Sequence, residues 1–105
     1  MKKKVSQPGL SIPKDKIADF CRKYHIMKLS LFGSVLGKEF GPESDIDILV
    51  EFEPGHTPGL ALITMQDELS GILGGRRVDL VTPKFLNRRI RSQIESEAVI
   101  QYAQR

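Results

Sequence analysis

The sequence has a single cysteine, and its apolar runs are only a few residues long. Cys21 cannot form an internal disulfide, and because it falls in a predicted amphipathic helix we expect it to pack in the interior without reacting. Apolar runs this short argue against a membrane-spanning helix. The amino end is basic but no apolar stretch follows it, so we expect neither a secretory signal nor a transit peptide, and we expect a cytoplasmic protein.

Side-chain sets that commonly carry catalysis or hold zinc are also missing from the sequence. No Ser/His/Asp set and no Cys-x-x-Cys pair occurs at a useful spacing. The two histidines, His25 and His56, fall in a helix end and a loop, without the paired spacing of a zinc site. We therefore assign them no metal. Glu51 and Glu53 lie toward the far end of a predicted strand, where we expect solvated edge residues.

The composition is that of one ordinary globular domain. The chain has 105 residues, of which 40% are hydrophobic and 28% charged. We expect a single domain over residues 1–105, with a flexible basic tail at 1–12. The net charge of +3 suits an anionic partner but does not identify one. Arg88, Arg89 and Arg91 lie within one helical turn, either as a solvated helix face or as a contact surface for an acidic partner.

Helices and strands alternate along the chain, which predicts an α/β (α+β) fold with a small mixed β-sheet flanked by helices. Apolar residues at helical spacing predict three helices, at about 13–25, 60–72 and 87–97. Ile90 and Ile94 of the last helix are expected to face the interior. Three strands are predicted at 27–32, 46–52 and 77–81, with a short helical turn at 35–38. Periodicity does not decide whether 98–102 extends the last helix or forms an edge strand.

Two carboxylates occur near the start of the second predicted strand, in the sequence SDIDILVEF. Side chains alternate in a strand, so Asp45 and Asp47 share one face, while Ile46, Ile48 and Val50 share the other. Two like charges this close are tolerable if both are well solvated or if a cation lies between them.

A third carboxylate, Asp79, lies in the next predicted strand, RVDLV. If this strand lies beside the second, Asp79 joins Asp45 and Asp47 on one patch. Three carboxylates form an all-oxygen site that suits Mg²⁺, an ion that usually shares its coordination shell with substrate phosphates.

Gly33 and Ser34 interrupt the chain directly after the first predicted strand. Glycine lets the backbone approach an anion closely, and the serine hydroxyl and the following amides can donate hydrogen bonds. The turn is therefore a candidate phosphate cradle beside the candidate metal site.

The motifs LFGS, SDIDILVEF and RVDLV, in this order, resemble the nucleotidyltransferase superfamily of DNA polymerase beta. Over about Met27 to Tyr102 the chain is similar to the minimal nucleotidyltransferases, the MNT antitoxins of prokaryotic HEPN/MNT toxin–antitoxin pairs. That resemblance implies a polymerase beta-like fold, ATP with Mg²⁺, and transfer of AMP to a hydroxyl, expected to be a tyrosine, of the partner toxin.

The resemblance also implies roles for individual residues. Gly33 and Ser34 would hold the triphosphate. Asp45 and Asp47 would ligate both metals, and Asp79 would ligate the catalytic metal and help to activate the acceptor. Many relatives have arginine where this sequence has Gly37.

Two alternatives to a protein-modifying antitoxin remain open on the sequence. One is an antitoxin that neutralises its toxin by binding alone. The other is a small-molecule nucleotidyltransferase of the antibiotic-modifying type. The short chain argues against this alternative, because we expect no second domain to build an acceptor pocket. For a similar reason we do not expect direct binding of a nucleic-acid template.

Overall fold

The computed structural model describes residues 12–37, 40–41 and 43–104. The predicted tail lies outside these residues except for Ile12, which packs against the core. The described part of the chain has three α-helices and four strands. In chain order they are α1 Lys14–Lys23, β1 Ile26–Phe32, β2 Ile46–Phe52, α2 Ala61–Ile72, β3 Val78–Val81, α3 Arg88–Glu97 and β4 Val99–Ala103, with 3₁₀ turns at Gly33–Leu36 and Pro83–Phe85.

The four strands form one mixed sheet in the order β3-β2-β1-β4. β1 pairs antiparallel with both β2 and β4, whereas β2 and β3 are parallel and are joined through α2. The mixed sheet predicted from the sequence is thereby confirmed. The segment that periodicity left undecided is β4, an edge strand against β1.

The hydrophobic core lies between one face of the sheet and the helices α1 and α2. The predicted alternation in β2 is confirmed, because Ile46, Ile48 and Val50 are fully buried in this core. Helix α1 contributes Ile17, Phe20 and Cys21, and α2 contributes Met65 and Leu69. Burial raises the pKa of the Cys21 thiol to about 12, so this cysteine is an inert packing residue, as expected.

The opposite face of the sheet has a smaller apolar centre. Leu49 is buried there, in register with Ser30 on β1 and Val81 on β3. Toward the start of β2 the face opens to solvent, where Asp47 is half-buried and Asp45 is exposed. The sheet therefore carries its core on one side and presents its carboxylates on the other.

Helix α3 differs from the prediction. Asn87 caps it, since its side chain accepts a hydrogen bond of 3.0 Å from the Ile90 amide, but no residue of α3 is buried. Ile90 is 45% exposed and Ile94 is half-buried, so the expectation that both face the interior was wrong for Ile90. The reason is that periodicity detects an apolar face but not whether another element covers it, and the core face of the sheet is already covered by α1 and α2.

No helix among the described residues is both long enough and apolar enough to cross a membrane.

Candidate active site

The turn after β1 brings its backbone against the second strand. Gly33 has a φ of +78°, a conformation that side chains disfavour, and a β-carbon at this position would overlap Oδ2 of Asp47. The 3₁₀ turn begins here rather than at the predicted residue 35, and Val35 buries its side chain in the core beneath it. Glycine is therefore required by both conformation and space.

Ser34 lies exposed at this turn and connects it to the start of β2. Its hydroxyl donates to the backbone carbonyl of Asp45 at 3.5 Å, and its own carbonyl accepts from the Gly37 amide at 2.9 Å. The serine hydroxyl is thus held at the open end of the sheet, beside the carboxylates.

The parallel pairing of β2 and β3 brings two of the predicted acids together. Asp47 and Asp79 are register partners on neighbouring strands, and Asp45 lies two residues before Asp47. Desolvation by burial raises the pKa of Asp47 above its usual range, and the negative charges of Asp79 and then Asp45 add to this. Asp47 is therefore close enough to both other carboxylates to be repelled by them, as a shared cation site requires.

The donor chemistry of this patch fits Mg²⁺, because all three side chains offer hard oxygen ligands. The oxygens of the three aspartates do not all lie within 4.8 Å of one another among the described residues. Asp45 instead forms an exposed ion pair with Arg77, with Nε and Oδ1 3.4 Å apart. An arginine neutralises part of the excess negative charge at the patch.

Arg76 supports the site from outside it and was not identified from the sequence. Its guanidinium donates to the carbonyls of Gly41 and Ser44, at 2.7 and 3.0 Å, and stacks over the Phe40 ring. These contacts attach the segment before Asp45 to the start of β3. The only signal for this role in the sequence is the presence of an arginine just before the strand that carries Asp79. The contacts join residues more than 30 positions apart, and no local sequence pattern reveals contacts over that distance.

The remaining candidates lie at the other end of the sheet. Glu51 pairs with Lys28 at 3.4 Å, and its side chain is half-buried and not fully solvated as predicted. Separation in sequence argued against a shared role for His25 and His56, yet their rings stack 3.9 Å apart, with Glu53 beside them. This cluster is distinct from the carboxylate patch.

Comparison with known proteins agrees with the fold and the motifs. The family model for the nucleotidyltransferase domain matches residues 14–101 of this chain. A relative from Methanocaldococcus jannaschii whose name describes a protein adenylyltransferase is 37% identical over 82% of this chain and 90% of its own. The protein adenylyltransferase MntA of Thermococcus cleftensis is 34% identical over 73% of this chain and 76% of its own.

Solved structures show the same fold. A minimal nucleotidyltransferase superposes with a TM-score of 0.70 at 35% identity, over 82% of this chain and 86% of its own. The structure of a toxin–antitoxin with AMP-PNP gives a TM-score of 0.70 at 21% identity, over 89% and 75% of the two chains. At that identity the superposition shows the fold alone. With the family model covering most of its length, the chain belongs to the nucleotidyltransferase family.

Proposed function

We propose that this chain is a Mg²⁺-dependent protein adenylyltransferase that acts as an antitoxin. It transfers AMP from ATP to a hydroxyl, expected to be a tyrosine, of a cognate HEPN-family ribonuclease toxin, and this modification neutralises the toxin. The observation that carries the proposal is the parallel register of Asp47 and Asp79 beside the close backbone approach of Gly33.

Each residue of the patch has a distinct part in this proposal. Asp45 and Asp47 would hold the metal ions together with the triphosphate, and Asp79 would add a metal ligand and help to activate the acceptor. Bound Mg²⁺ supplies the positive charge that offsets the charge developing on the phosphate oxygens. The backbone at Gly33 and the Ser34 hydroxyl orient the β- and γ-phosphates by hydrogen bonds.

The transfer itself requires one bond to form and one to break. The acceptor oxygen attacks the α-phosphorus of ATP, the bond to the β-phosphate oxygen breaks, and pyrophosphate leaves. Asp79, exposed beside the site, can take the proton of the acceptor hydroxyl. The product is a phosphodiester between AMP and the acceptor side chain.

The openness of the site supports a macromolecular acceptor. Ser34, Asp45 and Asp79 are all exposed, so an acceptor hydroxyl on a partner surface can reach them without a closed pocket. Relatives named as protein adenylyltransferases, and the solved MntA–HepT toxin–antitoxin that shares this fold at 21% identity with a TM-score of 0.62, support the same class of partner. A protein partner also supplies the walls that position the hydroxyl.

Intact-protein mass spectrometry of the toxin tests the proposal. Incubation with this protein, Mg²⁺ and ATP should add ~329 Da per AMP unit, as the covalent chemistry requires, and should remove ribonuclease activity. Asp47→Asn should abolish the mass increase, since a shared metal ligand is lost, and Ser34→Ala should slow it ~5- to 150-fold, since one hydrogen bond to phosphate is worth ~1 to 3 kcal/mol.

Glu51→Gln is the matched control, because it neutralises a carboxylate farther along the same strand. It should leave the rate unchanged within about twofold. Full neutralisation of the toxin by the Asp47→Asn protein with no mass change would instead identify an antitoxin that works by binding alone.

A further inference from the structure

We propose that His25, Glu53 and His56 form a binding site for a zinc-like transition-metal ion, separate from the carboxylate patch. One nitrogen from each histidine and one oxygen of Glu53 all lie within 4.8 Å of one another. The two imidazole rings stack with their centroids 3.9 Å apart and their planes 22° apart. Nδ1 of His25 lies 3.7 Å from Oε1 of Glu53.

The backbone fixes the three residues relative to one another. The Glu53 amide donates to the His25 carbonyl at 2.8 Å, and the His56 amide donates to the Glu53 carbonyl at 3.0 Å. His25 has a φ of +59° and is the only non-glycine residue with positive φ in the described part of the chain. This left-handed conformation ends the connection from α1 and starts β1 beside Glu53.

Glu53 has an additional partner that leaves one oxygen for the ion. Gln104 donates from Nε2 to Oε2 of Glu53, while Oε1 is the oxygen near His25. The backbone amide of Gln104 donates to the Met27 carbonyl at 2.8 Å, which fixes the position of this residue. A carboxylate oriented by a second hydrogen-bonding residue is a common feature of metal sites in proteins.

The ligand set indicates the kind of ion. Two imidazoles and one carboxylate suit Zn²⁺ and similar ions, whereas Mg²⁺ prefers oxygen alone. In a tetrahedral shell with bonds of 2.0–2.1 Å, ligand atoms lie about 3.3 Å apart. The rings are stacked, so they must rotate until a lone pair of each points at the ion. The side chains of His25 and Glu53 are 51% and 30% exposed and His56 is exposed, which gives them room to do so and leaves a fourth position for water.

The cluster lies far from the carboxylate patch. Asp47 is near the start of β2 and Glu53 follows its end, so at ~3.3 Å per residue about 20 Å separates them. An ion here would connect the turn before β1 to the end of β2, and through Gln104 to the end of β4. Binding should therefore stabilise this end of the sheet without direct contact with the reacting groups.

NMR of the full-length, untagged protein after treatment with EDTA tests the site, with Zn²⁺ alone as the probe. The chain has two histidines, both in this cluster, so their imidazole nitrogen resonances report on nothing else. One equivalent of Zn²⁺ should shift the resonances of both rings and raise the melting temperature by several degrees. Mg²⁺ at the same concentration should leave the resonances of both rings unshifted, because it prefers oxygen ligands.

Variants separate this site from the carboxylates. His25→Asn, which tolerates positive φ, and His56→Gln should each weaken Zn²⁺ binding by at least ~100-fold in calorimetry, and Gln104→Ala by ~10-fold. Asp47→Asn should retain the histidine shifts. The proposal is overturned if Zn²⁺ leaves both histidine spectra unchanged, or if the His25→Asn/His56→Gln double variant binds Zn²⁺ with the affinity and stoichiometry of the wild type.

Discussion

The backbone of Gly33 and the carboxylate of Asp47 are in such close contact that a β-carbon at position 33 would clash with Oδ2. This contact joins the turn after β1 to the strand that carries the acids. It places the candidate phosphate cradle and a candidate metal ligand side by side. Both depend on glycine, the residue without a side chain, at position 33.

Gly33→Ala should destabilise the protein and stop AMP transfer. Alanine at φ +78° costs ~1 to 2 kcal/mol by itself, and the methyl group must displace the Asp47 carboxylate as well. Gly74→Ala is the matched control, since Gly74 has a φ of +81° and open space around it. Urea unfolding and transfer assays of both variants measure the two effects. Equal loss of stability with full transfer by Gly33→Ala would contradict the close contact.

Asp47→Asn should stabilise the metal-free protein at pH 7 while abolishing transfer. The folded-state pKa of Asp47 is raised by burial and by its acidic neighbours, so the wild type loses stability as the pH rises through that pKa. An amide does not ionise and avoids this loss, with an expected gain of ~0.5 to 2 kcal/mol.

The gain from Asp47→Asn should shrink as the pH falls and the wild-type carboxyl becomes neutral. Melting temperatures of both proteins in EDTA at pH 7 and pH 4 give the comparison. A variant less stable than the wild type at pH 7 would show that Asp47 supports the fold. Asp79 is exposed, so Asp79→Asn should raise the melting temperature by less than Asp47→Asn does, or leave it unchanged.

Arg76→Lys should loosen the segment before Asp45 and lower the transfer rate. A lysine keeps the charge, but its side chain is one bond shorter than that of arginine, so its ammonium cannot take the place of Nη2, which donates to both the Gly41 and Ser44 carbonyls. It also lacks the planar guanidinium that stacks over the Phe40 ring. We expect a loss of ~1 to 3 kcal/mol in the free energy of unfolding. Hydrogen exchange at the Ser44 amide, which donates to Gly41, should accelerate.

Arg77→Lys provides the comparison for Arg76, because the ion pair of Arg77 with Asp45 is exposed. It should change stability by less than ~0.5 kcal/mol. If the two lysine variants behave alike, Arg76 does not hold the loop.

Gly37→Arg should fold normally and transfer AMP faster. Gly37 has an extended backbone that any residue adopts. Among the described residues, a β-carbon there would meet only the Ser34 carbonyl, at an ordinary 3.6 Å. A guanidinium next to the Gly33-Ser34 turn can bind phosphate oxygens in pairs. Gly37→Gln, of similar length but uncharged, is the control. Initial rates at limiting ATP are the measurement, and equal rates for both variants would rule out a phosphate contact from position 37.

The features that could be predicted from the sequence depend on local periodicity. Alternation in β2 was sufficient to place Ile48 in the core and Asp47 on the opposite face, because a strand has only two faces. The meeting of Asp47 and Asp79 was predicted only on the condition that β3 lies beside β2, and the parallel register satisfies it.

The rest could not be predicted because it depends on contacts between distant segments. Arg76 reaches the loop before Asp45, and His25 meets His56, through the pairing of whole strands and not through local spacing. The prediction that Ile90 of helix α3 faces the interior was wrong for a related reason. Its periodicity is real, but Ile90 finds no element among the described residues that buries it.

The crossover between β2 and β3 also affects when the site can assemble during folding. The chain between Asp47 and Asp79 is about twice as long as that between Phe32 and its partner Asp47, so closing it costs more entropy and should happen later. A nascent chain with β1 and β2 already paired would hold Gly33 against Asp47 but lack Asp79. Catalytic competence would then begin only when the last of the three aspartates docks, which keeps a half-folded chain from acting as an enzyme.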